Sequence, residues 1–488
     1  MLPQMNADAT NVRDVRIQRA IIACALLALV LLHATHGLPF NWDDQGQYLS
    51  HSRALLAGRP YTDIGFIYTT YNNFIGPVAE PPGVPVLILP ALAISGADLL
   101  PVRVVMLFTL LLFLWLVWKV IEPFAGRWTA TAVIVMAIAV FSWQHVLDGV
   151  MSDLPFCAAI WCVLYAADTD SPLSRGRLIT MAIAGAAAFT FRMAALALLP
   201  SIALLMLLRP RRQWPGLVLV AVVWAAAGAL VMFALPTSTA LVAETSLDWS
   251  KVLFDVRENL HVISFGVLET FLYPFTSNRA NDVLHVVELL LAIVGSWALL
   301  RAGPRRFAYL FALSYVLMLL VLPTRATRYW WPLVPLQALA MVEGLAVLIR
   351  RVPSVPRWVP AAVVALLFAI GLPHDARERA TPFFERDEVT QVVAALRSAS
   401  PDVEPRVAIF SPRQLTWHTR IPAMGHFKAT PEQTLAELRD KGITFLVSGS
   451  LEEWPEFSAS IDRAIAARPD AYQLMGTFGG LTLLRVLP

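Results

Sequence analysis

Long apolar runs recur along the first three quarters of the chain, and short polar connections separate them. A predominantly apolar run of about 20 residues is long enough to cross the hydrocarbon core of a bilayer as a helix. The pattern therefore predicts an α-helical polytopic membrane protein with about 11 transmembrane helices. The spans are predicted at residues 20–37, 101–121, 128–147, 154–168, 178–191, 193–208, 214–236, 283–300, 307–322, 331–349 and 358–372.

Basic residues concentrate in the connections that would face one side of the membrane. An excess of Lys and Arg marks cytoplasmic connections, so the N-terminus is predicted to be cytoplasmic. The apolar stretch 178–208 lies between two such basic connections, and it must turn near Arg192 to keep both of them inside. The outer face then carries the residues 38–100, 145–153 and 237–282, together with the chain after residue 373.

The composition changes after residue 373, where charged residues return and the long apolar runs end. One apolar face predicts a helix in VTQVVAALRSA, and RVAIF and ITFLVS are typical of short buried strands. The pair Gly479-Gly480 predicts the turn of a hairpin. We therefore expect a transmembrane domain over residues 1–372 and a small extracytoplasmic α/β domain over residues 373–488.

The composition agrees with a membrane protein. Hydrophobic residues make up 57% of the 488 residues, and the mean hydropathy is +0.61. The net charge of +3 gives no indication of a nucleic-acid partner. The three cysteines lie inside apolar segments, so no disulfide framework is predicted.

The stretch 41–85 stands out because it is polar and carries the adjacent carboxylates Asp43 and Asp44 between apolar segments. Ionisable groups at a membrane are costly unless they have a task, and we interpret this pair as the catalytic corner of an enzyme. The alternative is that the pair caps the helix predicted in LSHSRALLAG, because Asp is a common N-cap residue.

Several motifs resemble those of bacterial GT-C glycosyltransferases. The run Asp44-Gln-Gly-Gln-Tyr48, the later Arg53-Ala-Leu-Leu-Ala-Gly58-Arg-Pro-Tyr61-Thr-Asp63 and Pro81-Pro82-Gly83 are similar to the first outer loop of that family. Arg328-Tyr329 before Trp-Trp-Pro is similar to its late Arg-Tyr motif, and Met151-Ser152-Asp153 resembles its second acidic turn. The match is to the branch of protein O-mannosyltransferases and the lipid A aminoarabinose transferase, and it covers residues 20–350.

The resemblance implies transfer of a sugar from a polyprenyl-phosphate carrier to an acceptor on the outer face, with inversion at the anomeric carbon. An Asp acts as general base on the acceptor hydroxyl in such a reaction. The register of the family motif favours Asp44, whereas the usual acidic-pair pattern favours Asp43, and both stay candidates. A guanidinium meets the charge of the leaving phosphate, and Arg328 is the candidate for this role.

The remaining candidates each have a simpler interpretation. Arg192, with Tyr329 on the donor side, is expected to reach the carrier phosphate, or Arg192 instead snorkels at a helix end. Asp148 and Asp153 hold the acceptor or a cation, or are solvated loop carboxylates. A metal shared by Asp43, Asp44 and Asp153 is weakly indicated, since no His accompanies them, and no cofactor is predicted. The substrate-side candidates are Tyr48, Tyr61 and Glu80.

Tyr48 and Tyr61 are explained equally well as part of an aromatic belt at the membrane interface. Glu80 departs from the family pattern, which often has Lys, His or Tyr before the paired prolines. This puts donor contact there in doubt and leaves Glu80 as an acceptor-side group or an exposed carboxylate. The tail contains no catalytic motif, and we expect it to shape acceptor access, with a role only in folding or in partner binding as the alternative.

Two other classes of protein stay open at this point. A secondary transporter would show a repeat relating two halves and charges at broken helices, and neither is visible. A non-catalytic lipid-binding envelope assembly protein would keep the basic groups without needing Asp44. The acceptor is expected to be a cell-envelope glycolipid, a polysaccharide or a protein on the outer face of the bacterial cytoplasmic (inner) membrane.

Overall fold

The computed structural model is mostly helical. The residues that it describes are 17–27, 43–69, 71, 80–96, 98–143, 149–168, 171–234, 278–302, 307–321, 327–349, 386–399, 404–449 and 455–488, with a few more within 253–259 and 356–363. Asp148 lies outside these residues, as do most of the connection 237–282 and most of the predicted span 358–372.

Twelve α-helices are described in the first 349 residues. They are α1 (Ile17–Leu27), α2 (Asp43–Leu56), α3 (Gly83–Ser95), α4 (Leu100–Ala125), α5 (Arg127–Trp143), α6 (Asp153–Ala167), α7 (Arg175–Phe191), α8 (Leu198–Leu208), α9 (Trp214–Ala234), α10 (Asn278–Ala302), α11 (Phe307–Val321) and α12 (Val334–Ile349). Two 3-10 segments, Met193–Ala197 and Thr327–Leu333, lead into α8 and α12.

Three of the described helical stretches are long and apolar enough to cross a membrane, namely Leu100–Ala125, Arg211–Phe233 and Arg328–Ile349. Shorter apolar helices of 10–17 residues pack around them. The chain is therefore an integral membrane protein, while the total of about 11 spans stays a prediction. The predicted turn near Arg192 is present, because α7 ends at Phe191 and Arg192 is extended, with φ −154° and ψ 140°.

Small residues allow the closest helix contact in the bundle, between α10 and α12. A Cβ atom on Gly295 would lie 1.7 Å from the carbonyl oxygen of Ala340. A Cβ atom on Gly344 would lie 2.0 Å from the carbonyl oxygen of Leu291. Such close backbone approach is typical of helices that pack inside a bilayer, where van der Waals contact drives association.

Outside the bundle, strands from two distant parts of the chain form one six-stranded sheet with the order β1-β3-β2-β4-β6-β5. The strands are β1 (Phe66–Ile67), β2 (Val407–Ile409), β3 (Ala423–Gly425), β4 (Phe445–Ser448), β5 (Tyr472–Phe478) and β6 (Leu481–Val486). The helices of the same region are α13 (Asp387–Ala399), α14 (Pro412–Thr419), α15 (Pro431–Asp440) and α16 (Pro455–Ala467). The predicted hairpin at Gly479-Gly480 is present, since Phe478 pairs with Leu481.

The edge strand β1 belongs to the polar loop 38–100 that follows the first helix, here called the first loop, rather than to the tail. It runs parallel to β3, with Phe66 opposite Ala423 and Ile67 opposite Met424. Helix α2 of the same loop packs against α14 of the tail. The first loop and the tail are thus joined by a shared sheet and by a helix contact, and the carboxylates of the loop lie at this junction.

Candidate active site

The site forms where the start of α2 meets the start of α14. A glycine makes the approach possible, because a Cβ atom on Gly46 would lie 2.6 Å from the carbonyl oxygen of Arg413 and 2.9 Å from the backbone nitrogen of Gln414. The two helices therefore touch backbone to backbone. The first turn of α2, which carries Asp43 and Asp44, is held directly against the first turn of α14.

Asp43 caps α14, a helix about 370 residues further along the chain. Its Oδ1 atom accepts hydrogen bonds from Ser411 Oγ at 3.2 Å, from the backbone nitrogen of Arg413 at 3.0 Å and from that of Gln414 at 3.2 Å. These backbone groups are the donors that a helix N-terminus leaves without intrahelical partners. Burial raises the pKa of Asp43 to about 6, against the lowering effect of Arg413, and the charge of Asp44 adds to the rise.

Asp44 lies between two guanidinium groups. Arg328 Nη2 donates to its Oδ2 at 3.0 Å, and Arg413 Nη1 donates to its Oδ1 at 2.8 Å. Burial alone would raise the pKa of Asp44, but the charges of Arg328 and Arg413 outweigh it and hold that pKa below its usual range. Asp44 is therefore ionised at neutral pH, and each of its oxygens has its own cationic partner.

Arg413 is a residue of the site that the sequence analysis missed. Its side chain is 1% exposed, its guanidinium lies 4.9 Å from the ring centroid of Phe66, and its Nε lies 3.7 Å from Asp43 Oδ2. The preceding Ser411-Pro412 is a readable helix start. No local pattern shows that the helix points its first turn at a carboxylate of another segment.

Asp153 and Arg192 form a second ion pair, which joins the start of α6 to the end of α7. Asp153 is 2% exposed, which excludes the interpretation as a solvated loop carboxylate. The Arg192 guanidinium also lies 4.3 Å from the ring centroid of Tyr329. Next to Asp153, Ser152 Oγ accepts a hydrogen bond at 3.0 Å from Tyr48, which belongs to α2.

Tyr61 and Glu80 are linked through a histidine that the sequence analysis did not assign to the site. Tyr61 Oη donates to the carbonyl oxygen of Glu80 at 2.7 Å, and the rings of His51 and Tyr61 stack at 4.1 Å. His51 Nδ1 lies 2.7 Å from the carbonyl oxygen of Tyr61, and its Nε2 accepts from the Glu80 backbone nitrogen at 3.3 Å. This pattern requires a neutral ring, and burial lowers the pKa of His51 to about 4.

Glu80 interacts electrostatically with the other charged groups. Burial raises the pKa of its carboxyl to about 7, and the charge of Asp44 adds to the rise. Arg413, Arg192 and Arg328 act in the opposite direction. The Glu80 carboxyl group therefore titrates near neutral pH.

The described residues include no group of three or more His, Cys, Asp or Glu side chains placed to hold a metal ion. The carboxylates of Asp44 and Asp153 are paired with arginines instead. The arrangement thus provides an ionised carboxylate with cationic groups around it, suited to taking a proton from a hydroxyl group and to stabilising an anion.

Comparison with known proteins places the fold. No family model matches the sequence, and no curated protein matches it. The chain is similar to ArnT from Cupriavidus metallidurans bound to undecaprenyl phosphate, with a TM-score of 0.58, 14% identity and coverage of 96% of this chain and 97% of ArnT.

Two structures of an archaeal protein are also similar. The oligosaccharyltransferase of Archaeoglobus fulgidus in complex with Zn and sulfate has a TM-score of 0.57 and 15% identity, over 88% of this chain and 68% of that one. AglB from the same organism, in complex with an inhibitory peptide and a dolichol-phosphate, has a TM-score of 0.55 and 12% identity, over 94% and 72%. The chain therefore has the GT-C fold of ArnT and AglB, which confirms the predicted resemblance at the level of the fold.

Proposed function

We propose that this protein is an inverting glycosyltransferase that moves a sugar from a polyprenyl-phosphate carrier to an acceptor on the outer face of the bacterial cytoplasmic membrane. The observation that carries the proposal is Asp44 held between Arg328 and Arg413. This arrangement occurs in a fold shared with a protein that binds undecaprenyl phosphate and with one that binds a dolichol-phosphate.

Asp44 is the general base of the proposed reaction. The acceptor oxygen attacks the anomeric carbon, the bond from that carbon to the phosphate oxygen breaks, and the acceptor proton passes to Asp44. The bonding electrons leave with the polyprenyl phosphate. Asp43 is not assigned this role, because its Oδ1 is occupied by three donors at the start of α14.

Arg328 stabilises the departing phosphate. It is 22% exposed, and its Nη2 bonds Asp44. A guanidinium that shifts from this carboxylate to a phosphate keeps a charge-assisted hydrogen bond throughout. The shift also leaves Asp44 Oδ2 open to the acceptor hydroxyl, so donor binding prepares the base.

The second ion pair serves the donor side. Arg192, with Tyr329 against its guanidinium, supplies further positive charge for the carrier phosphate, and Asp153 holds Arg192 in place. Tyr48 and Tyr61 are assigned to the sugar side. Glu80 is assigned to the acceptor side.

The proposed topology has the N-terminus in the cytoplasm and the catalytic loop, residues 38–100, on the outer face. Residues 373–488 form an extracytoplasmic α/β domain above it. The acceptor is a cell-envelope glycolipid, a polysaccharide or a protein of that face. The resemblance of the motifs to bacterial enzymes supports this choice of acceptor class.

The test is release of polyprenyl phosphate by the purified protein in detergent, supplied with labelled polyprenyl-phosphate sugars and an envelope lipid extract as acceptor. We expect release by the wild type and a loss of about 10²- to 10⁴-fold with Asp44→Asn. Asp63→Asn is the matched control, because this Asp of the same loop pairs only with exposed Arg59. Wild-type release by Asp44→Asn would refute the assignment of the base.

A further inference from the structure

A residue of the tail reaches into the site proposed for the first loop. Arg413 lies in the first turn of α14, and its side chain, 1% exposed, is one of the largest fully buried side chains among the described residues. Burying a guanidinium is costly unless carboxylates offset its charge. Here Asp44 and Asp43 do so, at 2.8 Å from Nη1 and 3.7 Å from Nε.

We infer that Arg413 is a positioning residue of the transfer reaction: it fixes Asp44 through Oδ1 and keeps it ionised while Arg328 turns to the donor phosphate. The inference rests on the proposed function. It assigns the tail a part in the reaction, since the only described cation on Asp44 Oδ1 comes from the tail.

The two arginines on Asp44 differ in exposure. The Arg328 side chain is 22% exposed, and that of Arg413 is 1% exposed. Arg413 is enclosed: its guanidinium lies against Phe66 of β1 and its backbone nitrogen is bonded by Asp43. The exposed arginine is therefore the one suited to follow the substrate, and the enclosed one is suited to hold the base.

The position of Arg413 depends on how the tail meets the first loop. Asp43 caps α14, Gly46 lets the two helices touch, and β1 adds to the edge of the tail sheet. Side chains held by packing and by surrounding hydrogen bonds keep a reacting group in its productive geometry. The junction thus sets both the direction of the Asp44 carboxylate and its charge state.

The charge state of Asp44 is the measurable consequence. Arg328, Arg413 and Arg192 favour its ionised form. Asp43 and Glu80 are the carboxyl groups that interact with it, and a negative charge on either disfavours it, whereas Tyr48 is uncharged because burial raises its pKa well above the usual value. Removing the Arg413 cation leaves burial and these like charges opposed by fewer cations, so the pKa of Asp44 rises.

The experiment compares the pH dependence of kcat and kcat/KM for release of polyprenyl phosphate in the wild type, Arg413→Gln and Arg413→Lys. We expect Arg413→Gln to lower kcat at least about tenfold and to move the acidic limb up by about one pH unit or more. Arg413→Lys, which keeps the charge, should recover the position of the limb with an intermediate kcat. An acidic limb and a kcat unchanged in Arg413→Gln would overturn the inference.

The matched control is Arg53→Gln. Arg53 crosses the same junction, with Nη1 bonded to the carbonyl oxygen of Trp417 at 2.9 Å and its guanidinium 3.6 Å from the Trp417 ring, and none of the described contacts joins it to Asp43 or Asp44. We expect its acidic limb to stay at the wild-type position. A limb that moves equally in Arg53→Gln would show that loosening the junction is the whole effect and would overturn the inference.

A second background isolates the titrating group, because Arg413 also lowers the pKa of Asp43. In Asp43→Asn the amide oxygen still caps α14. If Asp44 is the group that titrates, Arg413→Gln must shift the acidic limb in this background as well. A shift that vanishes would overturn the inference.

Two further outcomes are decided in advance. If Arg413→Gln does not fold, Arg413→Lys decides, and a wild-type kcat at every pH would then overturn the inference. A folded wild type that releases no polyprenyl phosphate refutes the proposed function instead, so the two failures are distinguishable.

Discussion

Replacing Asp43 tests whether this one carboxylate locks the tail to the first outer loop. Its Oδ1 accepts three hydrogen bonds from the start of α14, and an alanine leaves those donors without a partner. Loss of an N-cap costs about 1 kcal/mol, and a hydrogen bond to a charged group contributes about 1.5–3 kcal/mol. We expect Asp43→Ala to be less stable than Asp43→Asn by about 1–2 kcal/mol, because both lose the charge and only alanine loses the cap.

Asp43→Asn separates the cap from the charge, because the amide oxygen still accepts these bonds. The pKa of Asp43 is raised to about 6 from 3.8, mainly by burial, so the folded protein takes up this proton more readily than the unfolded chain. The ionised group therefore disfavours the folded state above pH 6, and stability is recovered as the pH falls from 6 towards 3.8.

The same difference in pKa gives the cost of ionised Asp43 to the free energy of unfolding. This cost is about 3 kcal/mol at pH 8, and solvent screening of a side chain that is 23% exposed reduces it to about 1–2 kcal/mol. The neutral asparagine avoids this cost. We expect Asp43→Asn to be more stable than the wild type at pH 8, with about half of that difference remaining at pH 5.

Thermal unfolding in detergent at pH 5 and pH 8 measures these effects, and limited proteolysis reports whether the tail stays docked. Asp63→Asn is the control, since Asp63 is 52% exposed and should change neither measurement. The reasoning is refuted if Asp43→Asn is less stable than the wild type at pH 8. The reasoning is also refuted if Asp43→Ala unfolds at the same temperature as the wild type at both pH 5 and pH 8.

Three more perturbations have defined outcomes. Gly46→Ala places a Cβ atom against backbone atoms of α14 and should lower Tm by several degrees, whereas Gly480→Ala, with open space around it, should leave Tm unchanged. Asp153→Asn or Arg192→Gln strands a buried charge and should cost about 3–5 kcal/mol, but the double variant should cost less than the two together in a thermal double-mutant cycle. Arg328→Lys should lower kcat for release of polyprenyl phosphate at least about tenfold, because one ammonium cannot reproduce a paired guanidinium contact.

Part of the site was readable from local sequence. The motifs around Asp44 and Arg328 predicted that these residues act together, and the structure brings them to 3.0 Å from each other although 284 positions separate them. The helix break near Arg192 was readable too, because basic residues on both sides of an apolar stretch require it to turn. These signals are local in the chain, or they come from a resemblance that covers several motifs at once.

The choice between the adjacent carboxylates was not readable, because it depends on what meets each of them. The interpretation of Asp43 as a cap named the correct role but the wrong helix, since Asp43 caps α14 of the tail rather than its own helix. The tail was expected to contain no catalytic motif, and no local pattern indicated that Arg413 of the tail bonds Asp44 through its Nη1. A cap and an ion pair between distant segments produce no periodic pattern in the sequence of either segment.

The amino-acid sequence by itself determined that the chain is built of apolar helices, that a polar acidic loop follows the first of them, and that its motifs are those of the GT-C fold. It did so because burial in a bilayer demands long apolar runs, which a single segment displays. Only the tertiary structure decided that β1 completes the tail sheet and that Arg413 faces Asp44. Both depend on contacts between surfaces more than 340 residues apart in the chain, and such contacts exist only once both surfaces have folded.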